Sequence, residues 1–212
     1  MRRPVLAVMC AVCFLFVAVM CQARKHASDS DDTTTATVSS KALPSDALLL
    51  ANFDSGEKIN ALTGPFGAWE KDPNDASQKC TMSFVKPGYD GKGSAIKLVF
   101  SVDSPNPAYN GLWMKLQDKD ISAYKKLVFW VKGEPSDTPP NNFKMELKNA
   151  KEVGHFYVTG ITGEWTKIEI PLDKFDGLTS LQKMTELTVV FEDSNTVPKK
   201  GSLYFDEIYF AK

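Results

Sequence analysis

Few side chains in this sequence are equipped for covalent or metal chemistry. There are two histidines, His26 and His155, and of the four cysteines Cys10, Cys13 and Cys21 lie in an N-terminal apolar run, leaving only Cys80 in the body. A zinc centre built from several histidines, or a histidine proton relay, cannot be assembled from one copy of such a chain. A serine or cysteine nucleophile would have His155 as its sole base, and no GxSxG stretch leads into a helix. Cys80, between Lys79 and Thr81 at the start of an apolar run, reads as a small buried side chain and not as a reactive thiol. Among 26 acidic residues a carboxylate pair can be drawn almost anywhere, so Glu146 with Glu169 is a weak glycosidase signature. The glycines of GYDGKGS open no helix, which removes a phosphate loop and leaves a hairpin turn. No catalytic residue is assigned.

Binding chemistry has a better candidate. In NFKMELK, Phe143, Met145 and Leu147 alternate with Asn142, Lys144, Glu146 and Lys148, so a strand here puts one row on a core and the other toward water. After the short NAKEVG turn the next segment repeats the division, with Phe156 and Val158 inward and His155, Tyr157 and Thr159 outward. Paired as a hairpin, the two strands present Lys144, Glu146, Lys148, His155 and Tyr157 together. Such a patch suits a sugar, whose CH-rich face stacks on a ring while its hydroxyls need donors and acceptors. The alternative is an ordinary solvated sheet face with one tyrosine lying along it.

The elements that would hold this patch are strands. From Ala47 onward short apolar runs alternate with turn residues, and no stretch sustains a helical period, which predicts an all-β sandwich or barrel. Strands are expected near 48–53, 68–72, 80–86, 94–102, 110–117, 126–132, 142–149, 154–160, 164–170, 185–192 and 202–210, with breakers at Gly88, Gly91 and Gly93, at Pro105 and Pro107, at 133–140, at Gly177 and at 198–201. No internal repeat is seen. Hydrophobic content of 43% with 11% aromatic residues supports a core and excludes global disorder. The formal charge of −1, from 25 basic and 26 acidic residues, argues against nucleic acid as a partner.

Residues 1–23 have the layout of a secretory leader: Arg2 and Arg3, an uncharged apolar stretch from Val5 to Cys21, and a small residue at Ala23. Cleavage after Ala23, lipid attachment at Cys21 and retention as a membrane anchor are the three fates. Residues 24–46, rich in Ser, Thr and Asp, read as a disordered tether, and 47–212 as the folded domain. All three fates place that domain outside the cytoplasm, secreted or at the cell envelope, with membrane attachment through the N-terminus alone. A single body cysteine leaves no intrachain disulfide after cleavage. A monomer is expected.

Several segments, LLLANFDSG, GYDGKGSAIKLVF, AYNGLW, GHFYVTGITGEWTKIEIPLDKF and the closing GSLYFDEIYF, together resemble the galactose-binding-like jelly rolls. The similarity is greatest to family-11 carbohydrate-binding modules and to complex I intermediate-associated domains, and it spans 47–212 in order. It implies an all-β, two-sheet antiparallel sandwich whose first and last strands are neighbours, non-catalytic binding of a polysaccharide or other glycan in a concave sheet face, and often a structural calcium. By position it adds Tyr109 to Lys144, His155 and Tyr157 as cleft residues. Two features depart from the family's glucan binders: Asn110 stands where an aromatic is usual, and the patch is more charged than a neutral glucan needs. An acidic or substituted sugar, or a cleft that has lost its sugar function, would explain the charge. A protein-interaction domain of an envelope assembly is the alternative role for the same fold.

With the end strands adjacent, Asp54 and Asp206 can approach each other. Asp206 interrupts an apolar strand, where an unpaired carboxylate carries a large desolvation cost. A Ca2+ ion would relieve it, taking a carbonyl oxygen from the turn at Gly91, Lys92 and Gly93. A bulge turning Asp206 to solvent, or a hydrogen bond from a loop amide, would relieve it without an ion.

Overall fold

Alternation of apolar and polar residues, clearest in the NFKMELK strand, gives the sheets of this protein one apolar face each, and burying those faces requires two sheets laid against each other. In a computed structural model describing residues 43–212 the strands are β1 (Leu48–Ala51), β2 (Phe66–Glu70), β3 (Gln78–Val85), β4 (Ala95–Val102), β5 (Tyr109–Lys119), β6 (Lys126–Gly133), β7 (Asn142–Lys148), β8 (Val153–Thr159), β9 (Thr166–Pro171), β10 (Met184–Glu192) and β11 (Lys200–Ala211). All eleven expected strands are present, each within a few residues of its anticipated bounds. The leader, the lipidation of Cys21 and most of the tether lie outside the described residues.

One sheet runs β3-β4-β11-β6-β9, with β1 also paired to β11, and the other runs β2-β5-β10-β7-β8. The first and last strands are indeed side by side, with Leu48 opposite Phe210. Pairing is antiparallel throughout. Phe100 of β4 stacks on Phe191 of β10 at 3.8 Å between ring centroids, and Phe129, Phe143 and Phe205 cluster beside them, so large rings lock the sheets together. Cys80 is buried, as expected, and burial pushes its thiol up to about 12.

Strand β8 forms one edge of the second sheet, and the loop after β9 closes over it. His155 donates its backbone N–H to the Asp176 carbonyl, and Asp176 donates back to the His155 carbonyl, both at 2.9 Å. Gly154 makes this approach possible, because a Cβ there would overlap the Leu178 side chain. Glu152 fastens the loop by accepting the backbone N–H groups of Thr179 and Ser180 and the Thr179 hydroxyl, which holds its carboxyl down at about 2.

Candidate functional site

The outward face of the β2-β5-β10-β7-β8 sheet is built from rows of residues that cross all its strands. Register aligns Trp69, Gly111, Val190, Lys144 and Tyr157 in one row, and Gly67, Trp113, Thr188, Glu146 and His155 in the next. A third row holds Lys115, Glu186, Lys148 and Val153, and Tyr109 stands opposite Glu192 at the other end. Four strand spacings make each full row roughly 19 Å long. The five residues anticipated from sequence, Tyr109, Lys144, Glu146, His155 and Tyr157, thus do share one face.

Rings gather toward the two margins. Trp69 and Tyr109 meet edge to face at 5.7 Å, Trp113 lies against the Gly67 backbone, and His155 and Tyr157 meet edge to face at 6.0 Å on the opposite side. Gly111 sits between Trp69 and Val190 because a Cβ there would overlap the Val189 carbonyl, so the floor of that row is bare backbone. Trp69, Trp113, Thr188, Glu186 and Lys148 line a depression of about 240 Å³.

The middle is a continuous chain of charges. Lys115 pairs with Glu186 at 2.7 Å, Glu186 with Lys148 at 3.0 Å, Lys148 with Glu146 at 3.3 Å, Glu146 with Lys144 at 3.0 Å, and Lys144 with Glu192 at 2.6 Å. Glu192 also accepts the Tyr157 hydroxyl at 2.9 Å, and Asn195 donates to both. Burial pulls Lys144 down, but its hydrogen bonds to Glu192 and Glu146 outweigh that and hold the ammonium above its ordinary range. Burial pushes Glu186 and Glu192 up, and their lysine partners reverse it, leaving both carboxyls below theirs. The chain's three lysines balance its three glutamates in formal charge. Two buried polar atoms on this face, Trp69 Nε1 and Asn142 Oδ1, have no partner among the described residues.

Several expectations change. The aromatic missing beside Tyr109 is no loss, because Asn110 points into the core, donating to the Ser101 carbonyl at 2.6 Å. The aromatic contribution comes from Trp69 on β2 and from Trp113, which alternation from Tyr109 through Gly111 to Trp113 places on the same face of β5. The apparent surplus of charge is cancelled by Glu186 and Glu192 of β10. Glu146 and Glu169 lie on different sheets, Glu169 held by Lys126 and Lys167, so they form no pair.

On the other sheet Asp206 is 3% exposed. Its carboxylate accepts the backbone N–H groups of Tyr89 at 2.9 Å and Glu207 at 2.8 Å, and burial, with Glu207 and Asp54 adding, pushes it up to about 7. The turn after β3 folds over it: a Cβ on Gly88 would strike both Asp206 Oδ2 and the Lys92 carbonyl, and one on Gly93 would overlap Asp54. Asp54, Asp90, Asp206 and Glu207 cluster here without a salt bridge to any described residue. This excess of oxygen ligands around a cradle kept clear by glycine fits a hard cation. Among the described residues no three His, Cys, Asp or Glu side chains converge tightly enough to grip a metal by themselves, so a backbone oxygen such as that of Lys92 would have to complete the set.

An antiparallel sandwich with a ring-flanked, hydrogen-bonding sheet face defines a carbohydrate-binding domain. Residues 58–212 match the family Carbohydrate binding domain 30, and the chain belongs to it. Its function is non-catalytic glycan binding. No curated protein sequence matches the chain. Among solved structures, the family 11 carbohydrate-binding module from Clostridium thermocellum in complex with a β-1,3-1,4-mixed-linked tetrasaccharide superposes with a TM-score of 0.60 at 17% identity, over 78% of this chain and 95% of that one. The family 11 module of the cellulosomal cellulase Lic26A-Cel5E of the same organism gives 0.59 at 17%, over 78% and 94%. CBM28, a module specific for non-crystalline cellulose, gives 0.51 at 11%, over 79% and 95%.

Proposed function

We propose that the β2-β5-β10-β7-β8 face binds an uncharged polysaccharide chain across its rows, between Trp69 and Trp113 on one side and Tyr157 and His155 on the other. The supporting observation is the self-cancelling Lys–Glu chain. An acidic sugar gains little from lysines already paired, whereas hydroxyl groups find charged donors and acceptors held at fixed positions. The likeness to a fold that holds a mixed-linked tetrasaccharide supports a neutral ligand. Calorimetric titration with that tetrasaccharide and with polygalacturonate tests this reading. The tetrasaccharide should bind with an affinity nearly independent of ionic strength; preferential binding of polygalacturonate that weakens steeply with salt would overturn it.

Asp54, the Lys92 carbonyl and Asp206 would hold a structural Ca2+, whose binding to the folded state raises stability without chemistry. The leader and tether support export of the domain to the cell surface or medium, attached, if at all, through the N-terminus.

A further inference from the structure

The opposite sheet carries a pocket that the glycan face does not use. Its wall is Tyr89, from the turn after β3, stacked on Trp130 of β6 with ring centroids 4.5 Å apart and planes 16° apart. Tyr209, Lys167 and Glu207 line it too, with Leu43 and Pro44 from the segment before β1 at its border, around about 240 Å³. Three features make this more than a gap between side chains. Tyr89 is held in place from below, since its backbone N–H is fixed by the buried Asp206 carboxylate. Glu207 takes a left-handed backbone conformation, φ 48°, at the bulge where β11 loses register with β6, a strained geometry that costs free energy for any residue but glycine. The half-buried Glu207 carboxylate accepts no hydrogen bond and forms no salt bridge among the described residues, and burial holds it above the usual carboxylate range.

The pocket therefore offers an aromatic wall, an unfilled acceptor in Glu207 and a donor in Lys167, whose ammonium is oriented by Glu169 at 2.6 Å. An ammonium ligand would suit the rings and Glu207 but would be repelled by Lys167. A saccharide uses all three, stacking its CH face on a ring and hydrogen bonding in both senses. At a volume below the usual range for drug-sized ligands, the space fits one sugar residue and not a chain. We propose that Tyr89, Trp130, Lys167, Glu207 and Tyr209 form a second saccharide site, for a single sugar unit or chain end, on the sheet opposite the polysaccharide face. Since a sandwich core separates the two, one module could then hold two glycan segments at once and gain avidity on a polymer.

The four tryptophan indoles divide evenly between the faces, Trp69 and Trp113 on one and Trp130 and Trp165 on the other, and provide the readout. Indole ¹H–¹⁵N spectra of the full chain, titrated separately with glucose, galactose and mannose up to their solubility limits, should show the Trp130 signal moving with at least one of them. The response should persist in Trp113→Ala, which keeps this test independent of the polysaccharide face. Glu207→Gln, which retains length and shape, should weaken it at least about tenfold. A Trp130 signal unmoved by all three sugars, or equal affinity in Glu207→Gln, overturns the proposal.

Discussion

On the outward face of the β2-β5-β10-β7-β8 sheet the charges chiefly bind one another, with Lys115 5.7 Å from the Trp113 ring centre and Lys71 5.3 Å from that of Tyr109; on the opposite sheet lysines sit closer over the rings and are shared between them. There Lys132 sits 5.1 Å from the Trp165 ring centre and 4.9 Å from that of Tyr204, and Lys97 lies 5.1 Å over Tyr204 while pairing with Glu134 at 2.6 Å. Tyr89 covers Trp130. Counting aromatic residues would rank the two faces alike. What separates them is how far each π surface is already covered: on the second sheet Lys132 serves two rings and Tyr89 lies flat on Trp130, whereas on the first each lysine contact is single and longer and the ring pairs meet edge to face.

The largest expected effect tests how differently the two faces depend on solution conditions. Asp206 titrates at about 7 in the folded protein against an ordinary 3.8, so the native state keeps a proton that the unfolded chain releases, and this contribution to stability is lost as pH rises through 7. In chelator, raising the pH from about 5 to about 8 should cost on the order of 3 kcal/mol, read by denaturant melts, and Asp206→Asn should flatten the profile. Added calcium should restore the loss at high pH. A wild-type profile that is flat in chelator would remove the buried-carboxylate account.

Next in size is the contrast between rings. Trp113→Ala should weaken binding of the mixed-linked tetrasaccharide by about 2 kcal/mol, roughly thirtyfold in Kd, whereas Trp165→Ala should leave it unchanged. Equal losses from both variants would show that the faces are not functionally distinct. The smallest effect isolates the charge chain from stacking. Tyr157→Phe keeps the ring and deletes the hydroxyl that bonds Glu192 and Asn195, so affinity should fall by only about 0.5 to 1.5 kcal/mol with the melting temperature nearly unchanged. A loss as large as that of Trp113→Ala would assign binding to the polar chain and not to the rings.

Much of this architecture is legible in the sequence because its physics is local. The alternation in NFKMELK fixes which side chains of β7 face outward, and the β7–β8 hairpin brings Lys144 opposite Tyr157 and Glu146 opposite His155 as its short turn requires. The missing pieces are non-local. Nothing near Lys144 in the chain announces Glu192, which reaches it only because β10 lies between β5 and β7. Without that strand order the lysines look unpaired and suggest an acidic sugar. Trp113 is legible locally, since the two-residue period along β5 turns Asn110 inward and Trp113 outward with Tyr109, whereas Trp69 joins them only because β2 pairs with β5. The Glu207 pocket has no sequence signature, since it depends on a bulge in β11 and on a turn arriving from β3.

The paired backbone hydrogen bonds between His155 and Asp176 have a consequence for crowding. A module that settles on a polymer meets other copies at high local concentration, where an unpaired strand edge invites sheet-to-sheet addition. In the first half of β8, beside the binding face, the outward N–H and C=O groups of His155 are already satisfied by a loop that Glu152 fastens down. Dense occupancy of a glycan surface therefore need not nucleate fibrous association along this border of the sheet.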